Sequence, residues 1–170
     1  MLTGTSSVSA ELPLGPRLGE PAGRAELSRR LSVIFPDGRG LPPGQGSASG
    51  GKAVYDKHCQ SCHGPGGQGA SADQLAGARM QLTGEWPEKT IGTYWPYATT
   101  LFDFIRRAMP MQAPGSLSDD EVYAVTAYLL FLNGIIAEDE VMDAASLGKV
   151  RMPNRDGFID LYRARENQPR

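Results

Sequence analysis

The clearest hydrophobic pattern in the chain lies between residues 118 and 134. Its apolar positions recur at helical spacing: Val122, Val125, Leu129 and Leu132. Ser118 and Glu121 stand before them as a Ser-x-x-Glu capping box, which satisfies backbone amides at the start of a helix. Gly134 follows Asn133, and glycine commonly ends a helix. The pattern therefore predicts a helix from the capping box to Gly134.

Two shorter helical patterns precede this one. Gly51, Tyr55 and Cys59 share one helical face, which predicts a helix that starts near Ser49 and ends at the cysteines. A second helix is predicted after Thr99 or Thr100, either of which suits an N-cap. Its predicted buried face consists of Leu101, Phe102 and Ile105, and Arg106 and Arg107 lie on its polar face.

The two ends of the chain show weaker patterns. Residues 1–48 are rich in proline and glycine, which interrupt helices and central strands. We interpret them as an extended arm that wraps its own domain or reaches a partner, with one short helix between Ala22 and Ile34. After Gly134, the segment from Glu138 to Leu147 predicts a short amphipathic helix, and a charged tail follows.

The candidate chemistry lies in the turn between the first two central helices. Cys59, Cys62 and His63 form Cys-x-x-Cys-His, the spacing that attaches a c-type haem. Two thiols at this separation reach the two vinyl groups on one haem edge, and the histidine ligates the iron. They are the only two cysteines of the 170 residues, so no other thiol competes for them.

Other interpretations of these cysteines explain less. A zinc site would need His58 and His63 together with both thiols, all within one turn, whereas zinc fingers use separated ligand pairs. A thioredoxin-like pair is expected beside a βαβ pattern, and none surrounds it. A disulfide here would close a very small loop and leave the histidine unexplained. The following Gly64–Gly69 matches G-x-G-x-x-G, but no strand precedes it, so a dinucleotide site is not indicated.

Charge and hydropathy give no indication of nucleic acid binding or of a membrane span. The formal net charge is −2 and no basic run occurs, so nucleic acid binding is not indicated. No apolar stretch approaches the roughly 18 residues of a membrane span. The first seven residues lack a charged start and an apolar region. Because c-type haem is attached outside the cytoplasm, we expect an exported, periplasmic protein whose signal peptide is absent from this chain.

A sixth iron ligand is sought among the methionines, because both histidines lie in one turn. Met109 is favoured, since it ends a predicted helix and Pro110 fixes the backbone after it. Met111 is the rival ligand. Ligation by methionine and histidine raises the reduction potential of haem and suits electron transfer.

Aromatic and basic residues before this methionine are candidates for the haem surroundings. Tyr94, Trp95 and Tyr97 have apolar bodies with a polar tip, so they can line a haem pocket or belong to an ordinary core. Arg106, together with Arg107, can contact a propionate, pair with a partner, or form a solvated helix face.

The order of these elements resembles the class I c-type cytochromes. The resemblance covers residues 49–134 and rests on four features: a glycine and an aromatic residue on the first helix, Cys-x-x-Cys-His, a Met-Pro loop, and Leu-Ser-Asp-Asp-Glu-Val leading into the last helix. It implies an all-α domain with one covalently attached haem c. In this fold the first and last helices cross, with Gly51 and Tyr55 facing Tyr128 or Leu129. Residues 1–48 would then be an N-terminal arm and residues 135–170 a C-terminal extension.

A narrower resemblance extends beyond this domain. Gly-Leu-Pro-Pro-Gly at 40–44, Tyr-Trp-Pro-Tyr-Ala-Thr-Thr-Leu-Phe-Asp at 94–103 and Met-Pro-Asn-Arg-Asp-Gly-Phe at 152–158 are similar to the cytochrome subunits of bacterial sulfite and sulfane dehydrogenases. The resemblance implies an electron-transfer subunit, not itself an enzyme, reduced by a molybdenum-cofactor subunit and oxidised by another cytochrome or an oxidase. The arm and the extension would shape or cover the interface with that partner.

Two other functions remain open from the residues alone. One is a haem enzyme, a peroxidase or a thiol-oxidising cytochrome, which needs a displaceable sixth ligand. The other is a binding module without haem.

Overall fold

The computed structural model describes residues 20–30, 33–77 and 82–159, and the chain forms two units that divide after Ser32. In chain order, the helices and strands are α1 (Arg24–Arg30), β1 (Gln45–Ser47), α2 (Ala48–His58), α3 (Gln60–His63), α4 (Ile91–Tyr94), α5 (Ala98–Ala108), α6 (Asp119–Leu132) and β2 (Val141–Asp143). The first unit contains α1, which is shorter than the predicted helix over 22–34. Ile34 lies outside any helix, and Leu31 is outside the described residues.

The second unit is built on the crossing of α2 and α6. A Cβ atom placed on Gly51 of α2 would lie 1.9 Å from the Ala124 carbonyl oxygen, so only glycine permits this approach. One turn later, the rings of Tyr55 and Tyr128 pack with their centroids 5.4 Å apart. The crossing expected from the resemblance is therefore confirmed at these residues.

Among the described residues, helix α6 supplies more core side chains than any other element, and its signals in the sequence are confirmed. The Ser118 amide donates to Glu121 Oε2 at 2.9 Å, and the Glu121 amide donates to Ser118 Oγ at 3.2 Å. The helix ends at Leu132, and Gly134 then adopts a φ of +68°. Between these ends, all residues from Val122 to Leu130 are buried.

Helix α5 has the predicted buried face but a different start. Leu101, Phe102 and Ile105 are buried, as predicted. The prediction of Thr99 or Thr100 as the N-cap is wrong, because Tyr97 is the N-cap residue. The threonine hydroxyls have other acceptors: Thr99 donates to the Pro36 carbonyl at 3.2 Å and Thr100 to the Tyr97 carbonyl at 2.8 Å.

The predicted helix over Glu138–Leu147 is wrong. This segment forms β2, which pairs antiparallel with β1 in the register Gln45–Asp143, Gly46–Met142 and Ser47–Val141. Asp143 then accepts from the amides of Ala145 and Ser146 at 2.8 and 2.7 Å, which turns the chain directly after the strand. A short 3-10 turn follows at Leu147–Lys149.

The fold class is as predicted, mostly helical, with this two-stranded sheet added. The compact unit begins at Val33 and so includes residues 33–48, which belong to the predicted N-terminal arm. Ile34 is only 5% exposed, and the Tyr123 hydroxyl donates to the Pro42 carbonyl at 2.9 Å. Within the described ranges, none of the helices combines the length and apolarity needed to cross a membrane.

Candidate functional site

A cleft of about 400 Å³ opens beside the Cys-x-x-Cys-His turn. This volume falls in the range of roughly 300–1,000 Å³ that is usual for ligand and cofactor sites. Its apolar walls come from several elements: Leu75, Ile91, Trp95, Phe104, Ile105, Val125 and Leu129. The cleft is therefore bounded by α4, α5 and α6 and by the cysteine turn.

The cysteine turn is held by its own backbone and by Tyr55. Cys59 lies between α2 and α3, and its carbonyl accepts from the amides of Cys62 and His63 at 3.1 and 2.9 Å. The Tyr55 hydroxyl donates to the Gly64 carbonyl at 2.7 Å. Gly64 has a φ of +75°, a conformation that favours glycine. Helix α2 thus carries both cysteines to the cleft in a fixed turn.

The two thiols are free and half-buried, and both line the cleft. Burial raises the pKa of Cys59 to about 11, and the neighbouring Cys62 adds to this shift. Hydrogen bonds from Ser61, Ser71 and Gln112 lower the pKa of Cys62. Cys62 is therefore the thiol that ionises more easily while both are free.

The ring of His63 is held by a hydrogen bond to a backbone carbonyl. Its Nδ1 lies 2.7 Å from the Asp73 carbonyl oxygen. Because a carbonyl only accepts hydrogen bonds, Nδ1 carries the proton, and Nε2 keeps the lone pair that a metal requires. Such a bond fixes the tautomer and the ring direction of a ligating histidine.

The structure distinguishes the two candidate methionines. Met109 is the C-cap residue of α5, is half-buried and packs against the hydrophobic core. Met111 also lines the cleft, but it is 73% exposed. Gln112, in the same loop, has its Nε2 atom 3.8 Å from Cys62 Sγ, so this loop reaches the cysteine turn.

The cleft contains Cys59, Cys62, His63, Met109 and Trp95, and three other predicted residues lie outside its lining. The Tyr94 ring packs on Phe158 with centroids 5.4 Å apart, and the Arg155 guanidinium lies 5.1 Å from the centre of the Tyr97 ring. Both tyrosines are candidates for the haem surroundings, and neither is among the residues that line the cleft; Tyr94 is 36% exposed, and both rings contact residues of a C-terminal segment.

Arg106 is likewise not part of the cleft lining. Its Nε donates to Asp119 Oδ1 at 2.7 Å, and this pair joins the end of α5 to the start of α6. The loop with both candidate methionines lies between these two residues. Arg107 pairs with Asp103 within α5, also at 2.7 Å.

Two residues that shape the site were not predicted. Asp73 contributes a backbone carbonyl, and a backbone atom leaves no signal in the residue type. The sequence pattern predicts Asn133 only as the residue before the glycine that ends α6. Its Nδ2 donates to the carbonyls of Leu75 at 3.1 Å and Leu129 at 2.8 Å, and its Oδ1 accepts from the Gly92 amide at 3.0 Å. One amide therefore ties together three segments that border the cleft.

The donor set fits a covalently bound haem. Two thiols three residues apart, an imidazole with a free Nε2 and a half-buried thioether line one cleft with apolar walls. Histidine and methionine are the axial ligands of the cytochromes c, and thioether bonds to Cys-x-x-Cys attach their haem.

Comparisons with known proteins agree with this geometry. Residues 48–133 match the family model described as Cytochrome c. Thiosulfate dehydrogenase of Stutzerimonas stutzeri (strain A1501) is 33% identical over 113 residues, which make up 65% of this chain and 34% of that protein. The chain thus spans about a third of the length of this relative. In the crystal structure of the sulfane dehydrogenase SoxCD from Paracoccus pantotrophus, one chain is 38% identical with a TM-score of 0.77, and the match covers 91% of this chain and 79% of that one.

Proposed function

From the premise that this chain belongs to the cytochrome c family, we propose that it is a monohaem electron carrier of a sulfur-compound dehydrogenase. In this proposal Cys59 and Cys62 would hold haem c covalently, and His63 and Met109 would ligate its iron. The observation that carries it is that these four side chains line one cleft. Haem c would supply a one-electron couple between ferric and ferrous iron.

Other contacts of the cleft residues would prepare the site for haem. The Asp73 carbonyl holds the proton of His63 at Nδ1, so that the lone pair of Nε2 would be available to the haem iron. The thioether of Met109 is a soft donor that would favour the reduced iron and raise the reduction potential of the haem. Val125 and Leu129 of α6 contribute apolar side chains to the walls of the cleft. An iron with both of these ligands would have no position left for a substrate, which suits electron transfer.

The assignment of Met109 is tested by comparing Met109→Ala with Met111→Ala in the haem-loaded protein. Met109 is half-buried against the core, whereas Met111 is 73% exposed. We expect Met109→Ala to abolish the methionine-to-iron absorption band of the oxidised protein and to lower the midpoint potential. Met111→Ala is the matched control and should keep both properties. The opposite pattern would assign the ligand to Met111.

The electron donor in this proposal is a molybdenum-cofactor subunit that oxidises sulfite or a sulfane sulfur. The likeness to a chain of the sulfane dehydrogenase structure supports it, because that match extends over 91% of this chain and so includes more than the cytochrome domain. Electrons would leave to another cytochrome or to an oxidase, and the reaction would take place in the periplasm. The arm and the C-terminal extension would shape the interface with the donor.

The donor is tested by rapid mixing of the ferric protein with a purified molybdenum subunit and sulfite or a sulfane substrate. We expect the spectrum of the reduced cytochrome to appear only when both the subunit and the substrate are present. Copurification of the two chains would support a lasting complex. Failure of an active molybdenum subunit to reduce the protein would reject this donor and leave the haem assignment intact.

A second candidate function is a haem enzyme that oxidises a sulfur compound itself. The likeness to thiosulfate dehydrogenase supports it, although the chain corresponds to 34% of that protein. Such an enzyme, like a peroxidase, needs a displaceable sixth ligand. Ready binding of cyanide or carbon monoxide by the native protein would favour this function, and resistance to both would favour the electron carrier.

A further inference from the structure

A C-terminal segment outside the family domain contacts residues on either side of Trp95, which lines the cleft. We call residues 152–158 the C-terminal clasp; the match to the family ends at 133. Asn154 Nδ2 donates to the Tyr94 carbonyl at 2.7 Å, and the Phe158 ring packs edge-on against the Tyr94 ring with centroids 5.4 Å apart. Arg155 lies over the Tyr97 ring at 5.1 Å. The clasp therefore contacts the chain on both sides of Trp95.

The clasp has a fixed base. Met152 is only 2% exposed and belongs to the hydrophobic core. The Arg155 amide donates to the Met152 carbonyl at 3.2 Å, and the Gly157 amide donates to the Asn154 carbonyl at 3.2 Å. These backbone hydrogen bonds form a tight turn. The Asn154 side chain therefore extends from a segment whose position is fixed by the buried Met152.

The bond from Asn154 meets a carbonyl that the helix itself leaves without a partner. Tyr94 is the last residue of α4, and the final carbonyls of a helix have no intrahelical donor. The chain leaves the helix at Trp95, which is the C-cap residue and has extended backbone angles. The amide of Asn154 thus fixes the direction in which the backbone enters Trp95.

Trp95 is the aromatic residue of this segment that lines the cleft. Its ring packs on Phe104, another cleft residue, with centroids 5.6 Å apart. Displacement of the Tyr94 carbonyl would move this indole and open the wall to water. Water near a haem stabilises the more highly charged oxidised iron, so the reduction potential depends on how well such a wall is closed.

We propose that Asn154 is a positioning residue for Trp95, through which the C-terminal clasp sets the indole-to-haem distance and the reduction potential. The proposal rests on the proposed function in one respect, the presence of haem in the cleft. It gives the C-terminal extension a task inside its own molecule, independent of any partner subunit.

The test measures tryptophan emission and the midpoint potential of the haem-loaded protein. The chain has two tryptophans, and Trp86 is 73% exposed, so Trp86→Phe leaves Trp95 as the single emitter. Haem quenches nearby indoles by energy transfer, which falls steeply with distance. In this background we expect Asn154→Ala to raise the emission severalfold and to lower the midpoint potential. The matched control is Asp156→Ala, whose side chain is 82% exposed and lies in the same segment.

A second variant guards against misfolding. Asn154→Asp keeps the shape of the side chain but replaces its donor by an acceptor, so it should show the same two changes. Asn154→Gln retains an amide donor and should recover part of the quenching. If emission and potential stay unchanged in both Asn154→Ala and Asn154→Asp, or if only the stability falls, the proposal is overturned. Haem content, measured first by a haem stain after denaturing electrophoresis, separates this result from failure of the proposed function, which would give unstained protein.

Discussion

Replacement of Gly51 by alanine tests the helix crossing on which the whole fold depends. A Cβ atom at this position lies 1.9 Å from the Ala124 carbonyl oxygen and 2.8 Å from Tyr128 Cβ. Both contacts belong to α6, which is buried from Val122 to Leu130. Because α6 cannot move without opening the core, α2 must shift outward to accept the methyl group.

Two opposing effects set the magnitude. Overpacking of a close-packed core typically costs about 1–3 kcal/mol, and contact with a backbone atom at this distance belongs at the upper end. Alanine is a better helix former than glycine by about 1 kcal/mol, which offsets part of that cost. We therefore expect Gly51→Ala to lower the free energy of unfolding by about 2 kcal/mol.

The neighbouring glycine provides the control for this experiment. Gly50 lies in the same helix, and a Cβ atom there meets only Ser47 Oγ, at 3.3 Å. Gly50→Ala gains the same helix propensity without the clash, so its stability should change by less than about 1 kcal/mol. Guanidinium unfolding of the haem-loaded proteins, followed by far-ultraviolet circular dichroism, compares the two variants. Equal stabilities for Gly50→Ala and Gly51→Ala would refute the reasoning.

Three further predictions concern single side chains. Asn133→Ala should destabilise the protein by about 1–3 kcal/mol in the same unfolding assay, because the partners of its amide are left unsatisfied; an unchanged midpoint would contradict this. Burial raises the pKa of Tyr55 to about 12, so between its ordinary value of 10.0 and that pH the unfolded chain loses a proton that the folded chain keeps, and stability falls as pH rises. The free energy of unfolding should decrease less steeply with pH in Tyr55→Phe than in the unaltered protein. Identical slopes in the two proteins would contradict this prediction. Ser118→Ala should cost about 0.5–2 kcal/mol through loss of the α6 N-cap, whereas Ser116→Ala, in the preceding loop, should change little.

The parts of the fold that the sequence predicted are those with local signals. The start and end of α6 follow from Ser118, Glu121 and Gly134, all of which act within one turn of the residues that they affect. The contact of Gly51 with α6 came instead from the family resemblance. The cysteine turn was found because its chemistry fixes the spacing of Cys59, Cys62 and His63, whatever the surroundings.

The parts that were missed depend on distant segments. β2 pairs with β1 across almost a hundred residues, and nothing in Glu138–Leu147 indicates that partner. Tyr94 and Tyr97 have side chains typical of pocket residues, yet neither lines the cleft, and their rings contact Phe158 and Arg155 instead. Residue type shows that an aromatic ring will be packed, but not which segment will pack on it.

The crossing and the candidate haem site are joined through one face of α2. Gly51 lets α2 approach α6, and one turn later Tyr55 packs on Tyr128 and donates to the Gly64 carbonyl. Gly64 follows His63 directly. The position of His63, the proposed iron ligand, therefore depends on how α2 packs against α6. Across the crossing, α6 contributes Val125 and Leu129 to the walls of the cleft. A change that separates the two helices should therefore disturb the ligand geometry together with the stability, since the same contacts determine both.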